Sequence, residues 1–349
     1  MKYGVIYFSS DSNESHFSDY QFLIQTAKLA DKLGFHRLWV PERHFHSFGG
    51  IFPNPTMVLA ALAMVTKKIR LSAGSLISPL HHVIRMTENL SVVDNLSNGR
   101  LDVSFGSGWN VNDFVFFPER YEDRKQVMYN QIQDLKTLWE GAPLNFLNTY
   151  NKDVEITLYP KPRQISLPIW ITISGNEQSY IQAGTVGANI LTHMIGQDLE
   201  TLKYRIQLYY DALENAGFDK TNYQVSLMLH TFVGNSEEDV LNKARIPLRE
   251  YLRNAVNLEN KAADGGGAIS GGHRVPTQKV PEDILEELLD ITFERYYHHA
   301  SLLGTPEKCK TFIRKIEEAG VTEVACLMDF GVKPQFVKES MKKFMAEVV

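Results

Sequence analysis

Eight short apolar runs alternate with longer amphipathic stretches along the whole chain, and this rhythm constrains the fold more than any other feature. The runs are YGVIYF (3–8), HRLWVP (36–41), IRLSAGSLI (69–77), GRLDVSFG (99–106), LPIWITIS (167–174), ANILTHMI (188–195), YQVSLMLHTFVG (223–234) and TEVACLM (322–328). Each is short and nearly continuous in apolar residues. Parallel strands covered on both faces read this way, because neither face meets water. The stretches between them read as helices. In SDYQFLIQTAKLADKLG, residues Phe22, Thr26, Leu29, Ala30 and Leu33 share one face. Ser18 and Gln21 have capping-box spacing there, and Gly34 suits the stop. Helical patterns also cover PTMVLAALAMVTKK, 82–97, 121–140, 177–186, 198–216 and 333–347. Ser236 with Asp239, and Thr305 with Pro306, mark two further helix starts, and Gly320 a stop. This alternation permits an open α/β sheet or a closed (β/α)8 TIM barrel. Eight units in 349 residues favour a single barrel over 1–349.

One stretch breaks the rhythm. NLENKAADGGGAISGGHRVPTQKVPED (257–283) holds three consecutive glycines, another glycine pair and two prolines. It predicts an insertion, about 257–300, before the last β/α unit, with 257–283 either a mobile lid or a surface loop without function.

Composition removes several classes. The formal charge is −5 and no basic block stands out, which argues against nucleic acid. No run approaches the roughly 18 apolar residues of a membrane helix, and the first run is too short for a signal peptide. The two cysteines, Cys309 and Cys326, both fall late. They cannot form a disulfide scaffold or a cysteine-rich metal site, and they fit a cytoplasmic protein.

A barrel collects its active site at the C-terminal ends of its strands. That rim here would carry VPERHFHSFGG after the second strand, Gly74 and Ser75 late in the third, and Trp109 and Asn110 after the fourth. SGNEQS follows the fifth strand, His193 ends the sixth and His230 lies in the seventh. Glu42, Arg43, His44 and His46 fall within five positions. His44 and His46, one residue apart, would point the same way in an extended loop. No compact metal pattern accompanies them, so proton transfer or hydrogen bonding is the expected work. Alternatively, Glu42 and Arg43 pair with each other or with neighbours across the strand ends. SGNEQS runs straight into a helix, where exposed amides and the dipole suit a phosphate. Ser174, Asn176 and Ser179 could add donors, although an ordinary helix cap would look the same. The small residues Ala73, Gly74 and Ser75 permit either close approach of a flat ligand or a bulge. Tyr121 and Arg124 either cap the fourth helix or turn inward to a phosphate. His298 and His299 fit a solvated helix surface.

In order along the chain, MKYGVIYF, LGFHRLWVPERHF, TKKIRLSAGSLISPLHHVIRMTENLSVVDNLSNGRLDVSFGSGWN, ERYEDR and LLGTPEKC resemble the bacterial luciferase-like, flavin-dependent monooxygenases. The likeness covers nearly all of the chain. PERHFH, GSGWNVNDF and LTHMIGQ are similar to the branch found beside peptide and polyketide synthases. The resemblance implies a TIM barrel that takes reduced FMN (FMNH2) from a separate flavin reductase. Oxygen then forms a flavin peroxide that oxygenates a small or carrier-protein-tethered substrate of specialised metabolism. It places Gly74 and Ser75 under the flavin ring at a bend or cis peptide. Trp109 and Asn110 would lie beside the ring, and Tyr121 near the ribityl chain or phosphate. Ser174, Gly175, Asn176 and Ser179 would hold the phosphate, and 257–283 would match the family's mobile loop. Glu42, Arg43 and His44 become the catalytic candidates, with His193 and His230 facing substrate.

Two departures matter. Luciferases carry EHHF where this chain has ERHF, so Arg43 stands at the catalytic histidine position, with a charge fixed at any relevant pH. Ser107 stands where luciferases carry a phosphate-binding arginine. The alternatives are a deazaflavin (F420)-dependent hydride-transfer enzyme on the same barrel, and a non-catalytic flavin-binding partner subunit. The apolar MVLAALAMV (57–65) predicts a homodimer, though a buried core helix would explain it as well.

Overall fold

Strands too apolar to face water on either side must be covered on both, and a computed structural model of the chain shows how. It describes residues 1–8, 16–264 and 281–349. The elements are β1 (Lys2–Ile6), α1 (His16–Leu33), β2 (Arg37–Val40), α2 (Pro55–Val65), β3 (Arg70–Ile77), α3 (Val83–Ser97), β4 (Leu101–Gly106) and α4 (Arg124–Trp139). A hairpin of β5 (Leu144–Leu147) and β6 (Asp153–Ile156) follows, then β7 (Ile169–Thr172), α5 (Glu177–Thr185), β8 (Asn189–His193), α6 (Leu199–Asn215) and β9 (Val225–Val233). The chain ends with α7 (Glu237–Asp264), α8 (Glu282–His299), β10 (Leu302–Gly304), α9 (Pro306–Glu318), β11 (Glu323–Leu327) and α10 (Pro334–Lys343).

Eight strands close into a parallel barrel in the order β1-β2-β3-β4-β7-β8-β9-β11, with β11 returning to β1. Lys2 pairs with Glu323 and Ile190 with Val225, so both ends of the sheet meet. These are the eight runs read from the sequence, and the fold is the expected (β/α)8 barrel. β10 adds a short parallel partner to the far end of β9, Leu302 against Thr231. The β5–β6 hairpin was not read from the sequence, because each strand spans only four residues and most of them are exposed, which leaves too short a pattern to stand out.

The barrel floor is polar, and its charges are all paired. Arg37, 1% exposed, meets Asp102 at 2.6 Å and Glu323 at 3.1 Å, and donates to Ser72 Oγ at 3.2 Å. Its guanidinium also lies over Trp39 and Trp170. Glu323 accepts further from Trp39 Nε1 and Ser226 Oγ. Such a cluster is tolerated inside only when every charge has a partner. Of the stretch expected as a lid, residues 257–264 continue α7, since the helix formers of NLENKAAD precede the glycines. Residues 265–280 lie outside the described residues.

Candidate active site

β2 runs into the rim through Pro41 and delivers Glu42, whose side chain is sealed from solvent. Glu42 Oε2 accepts the Ile77 amide at 2.6 Å, while Oε1 meets Nε2 of His44 at 3.0 Å and of His81 at 2.7 Å. Burial alone would raise this carboxyl's pKa. The hydrogen bonds from both histidines and the amide outweigh burial and hold it below the ordinary glutamate range. A carboxylate only accepts, so both imidazoles present Nε2–H to it. That assignment leaves Nδ1 of His44 to take a proton. His44 and His46 do not point the same way. Phe45 adopts φ +56, which breaks the extended alternation, and His46 Nδ1 instead accepts the Phe48 amide at 3.0 Å.

Arg43 does not pair with Glu42. Its guanidinium stacks on Phe8 at 4.1 Å and Phe48 at 5.1 Å. Its Nε is sealed without an acceptor. Burial lowers its pKa against the opposing pull of Tyr251, Asp113 and Asp329.

The Gly74–Ser75 peptide is cis, and the β3–β4 register shifts between Gly74 and Leu76. A Cβ at Gly74 would stand 2.6 Å from the Trp39 ring, and one at Gly106 would stand 2.9 Å from Ser75 Oγ. The small residues are therefore packing requirements of these two strands. Trp109 is half-buried, and Asn110 is occupied at both ends of its amide. Nδ2 donates to Asp113 at 2.9 Å, and Oδ1 accepts from the Asn112 amide at 3.1 Å. Burial pushes Asp113 up to about 6, against the pull of His44 and Arg43. Tyr121 packs its ring on Phe114 and beneath Arg124, which donates to the carbonyls of Gly108 and Tyr121.

On the far side of the rim, Ser174 and Asn176 are exposed and Ser179 is half-buried. Asn176 caps α5 without a side-chain bond to its first amides. Gly175 has φ +119, and a Cβ there would lie 3.3 Å from Arg205 Nη1. Arg205, from α6, donates Nη1 to Gln197 Oε1 at 2.9 Å, and its buried Nε has no acceptor. It faces no carboxylate among the described residues.

His193 is half-buried and accepts the Ile195 amide on Nδ1. Burial lowers it to about 4. His230 sits in a box of Tyr251, Tyr296 and Phe330, where burial lowers it to about 3 and Nε2 has no partner. Both rings are neutral at pH 7. His298 and His299 end α8 and line a cavity with Met194, Gln197 and Arg295, with His298 near Glu294.

Three residues escaped the sequence reading. His81 lay inside SPLHHV without a spacing signal, because its partner Glu42 is 39 positions away. Asp113 stood in GSGWNVND, where only Trp109 and Asn110 were singled out. Arg205 sits in the middle of α6; the only hint was the missing arginine at position 107, which left the phosphate to the SGNEQS turn and other donors.

The model of the luciferase-like monooxygenase family matches residues 1–323. The chain therefore belongs to that family. Among similar proteins, the oxygenase component of a flavin-dependent trigonelline monooxygenase from Acinetobacter baylyi is 24% identical over 347 residues, covering 95% of this chain and 89% of its own. The crystal structure of monooxygenase RslO1 from Streptomyces bottropensis superposes with a TM-score of 0.78 at 22% identity, covering 100% of this chain and 98% of that one. The oxygenating constituent of 3,6-diketocamphane monooxygenase from Pseudomonas putida, in complex with FMN, gives 0.75 at 18% identity, with coverage of 100% and 98%.

Proposed function

We propose that this chain is the oxygenase component of a two-component monooxygenase. It would take reduced FMN from a separate flavin reductase and oxygenate a small organic or carrier-tethered substrate of specialised metabolism. The observation that carries the cofactor assignment is the turn at Ser174–Asn176. Its uncapped helix amides and the close approach at Gly175 lie beneath Arg205, whose buried Nε lacks an acceptor. A phosphate fits that donor set, and Arg205 replaces the arginine absent at position 107. Family membership and the relatives' names support the rest.

When bound, reduced FMN supplies the electrons for oxygen activation. Gly74, Ser75, Trp109, Asn110 and Tyr121 would flank its ring and ribityl chain, and Ser174, Gly175, Asn176, Ser179 and Arg205 its phosphate. Glu42 fixes the tautomer of His44, so Nδ1 can accept and return a proton during oxygen transfer. His81 shares the same carboxylate oxygen and positions it. His193 and His230, neutral at pH 7, act as hydrogen-bonding walls rather than charges.

The outer faces of α2 and α3 leave Met57, Met64, Val92 and Leu96 exposed, with 71% of Met57 and 69% of Met64 accessible. A homodimer would cover them. The first experiment is anaerobic titration with photoreduced FMN, reduced riboflavin and reduced F420, followed by oxygen. FMN binding tighter than riboflavin, weakened at least tenfold in Arg205→Met, and oxygen consumption with a flavin product support the reading. Binding of F420 alone would move the chain to hydride transfer, and binding of none would refute both.

A further inference from the structure

Arg43 is the one half-buried or buried arginine among the described residues whose guanidinium has neither a hydrogen-bond acceptor nor an ion-pair partner. The other half-buried or buried arginines each have at least one acceptor or carboxylate, Arg205 through Gln197. Arg37 has two carboxylates, Arg100 donates to Thr66, Ile69 and Ala63, Arg124 to two carbonyls, and Arg295 to the carbonyls of Met194 and Gln197. An unpaired buried cation is costly, so packing that holds one in place requires an explanation.

The packing is specific. The Arg43 amide donates to the Phe52 carbonyl at 3.0 Å, which pins the backbone. Phe8 and Phe48 flank the guanidinium. Gly49 has φ +80, and a Cβ there would stand 2.3 Å from Arg43 Cδ and 2.9 Å from Nε. The side chain is thus threaded through a slot that only glycine leaves open, and it keeps part of its surface accessible at the rim. Asp113 and Asp329 act on it electrostatically, without reaching ion-pair distance. Asp329 spends both oxygens on the Phe8 amide, at 3.2 and 3.0 Å, and Asp113 holds Asn110.

From this we infer that Arg43 recognises a carboxylate on the substrate. A guanidinium fork matches a carboxylate with two parallel hydrogen bonds. One cation with two aspartates nearby suits a monoanion and disfavours a dianionic phosphate. The flanking phenylalanines favour an apolar group next to that carboxylate. The inference rests on the reading of this rim as the substrate mouth, and it makes Arg43 a specificity residue.

The test is calorimetric titration of the wild-type protein, with and without FMN, using three acids: benzoate, phenylacetate and octanoate. Each is paired with its neutral amide. At least one acid is expected to bind tenfold or more tightly than its amide. Arg43→Gln should abolish that preference while FMN affinity stays within twofold, and Arg43→Lys should retain part of it. Melting curves verify that the variants fold. Equal binding of every acid and amide by wild type overturns the inference, as does a preference that survives Arg43→Gln. A tenfold loss of FMN affinity in Arg43→Gln with acid binding unchanged assigns the cation to the flavin instead and also overturns it. Failure of wild type to bind FMN refutes the cofactor reading, while the acid–amide contrast still decides the role of Arg43.

Discussion

Two arginines at the two ends of one strand live under opposite rules. Arg37 opens β2 at the barrel floor and is ringed by Glu323, Asp102 and Ser72, and its pKa is raised because those carboxylates outweigh burial. Arg43 follows the same strand at the rim, six positions on, and has only aromatic faces and distant charges, so burial lowers its pKa. The floor is closed chemistry: each charge is consumed by the fold. The rim is open chemistry, with a cation and ring nitrogens left unspent. The difference separates a network that stabilises a barrel from a set of groups available to a ligand.

The comparison predicts a graded series of effects. Arg37→Met should be the most damaging, because it removes the cation that faces two buried carboxylates and leaves Glu323 with no ion-pair partner among the described residues, while Asp102 keeps only Arg70. A loss of about 3–5 kcal/mol in urea unfolding is expected. If the loss is under about 1 kcal/mol, the floor is not the closed network described here. Gly49→Ala should cost about 2–4 kcal/mol, combining left-handed strain with the clash against Arg43. Gly34→Ala, also at positive φ but into open space, is its control and should cost only about 1–2 kcal/mol. A similar cost at both sites would remove the claim that Gly49 shapes the Arg43 slot.

Glu42→Gln is expected to lose about 1–3 kcal/mol at neutral pH, by weakening the hydrogen bonds to His44 and His81. It should also lower oxygenation about a hundredfold or more. The folded pKa of Glu42 is lowered. Its contribution to stability is therefore complete above the ordinary glutamate value and fades as pH falls through the folded one. Wild type should thus lose more stability than Glu42→Gln on acidification below about pH 5, and parallel curves would contradict the assignment. Arg43→Met should be nearly silent in unfolding, within about 1 kcal/mol of wild type, because no protein acceptor is stranded. A loss as large as that of Arg37→Met would show that the rim cation is structural.

The barrel was legible because its cause is local. Eight apolar runs such as RLWV and ANILTHMI announce strands buried on both faces, and Gly34 and Gly320, at φ +86 and +95, end helices as their sequence positions suggested. The site was legible only in part. Glu42, His44 and the Ser174–Ser179 turn follow strands directly, so chain order placed them at the rim. His81, Asp113 and Arg205 reach the site from separate segments, and no spacing rule links them. The orientation of His46 also turned on a single dihedral, the positive φ of Phe45, which no aromatic residue advertises.

By itself, then, the sequence determined the strands, their order and which loops share one face, because burial on both sides leaves a continuous apolar signature. Only the tertiary structure decided which charges are spent and which are free. Arg37 and Arg43 carry the same side chain, one opening β2 and the other just past its end. Their fates diverge because Asp102 and Glu323, from β4 and β11, converge on one, and among the described residues no carboxylate comes within ion-pair range of the other.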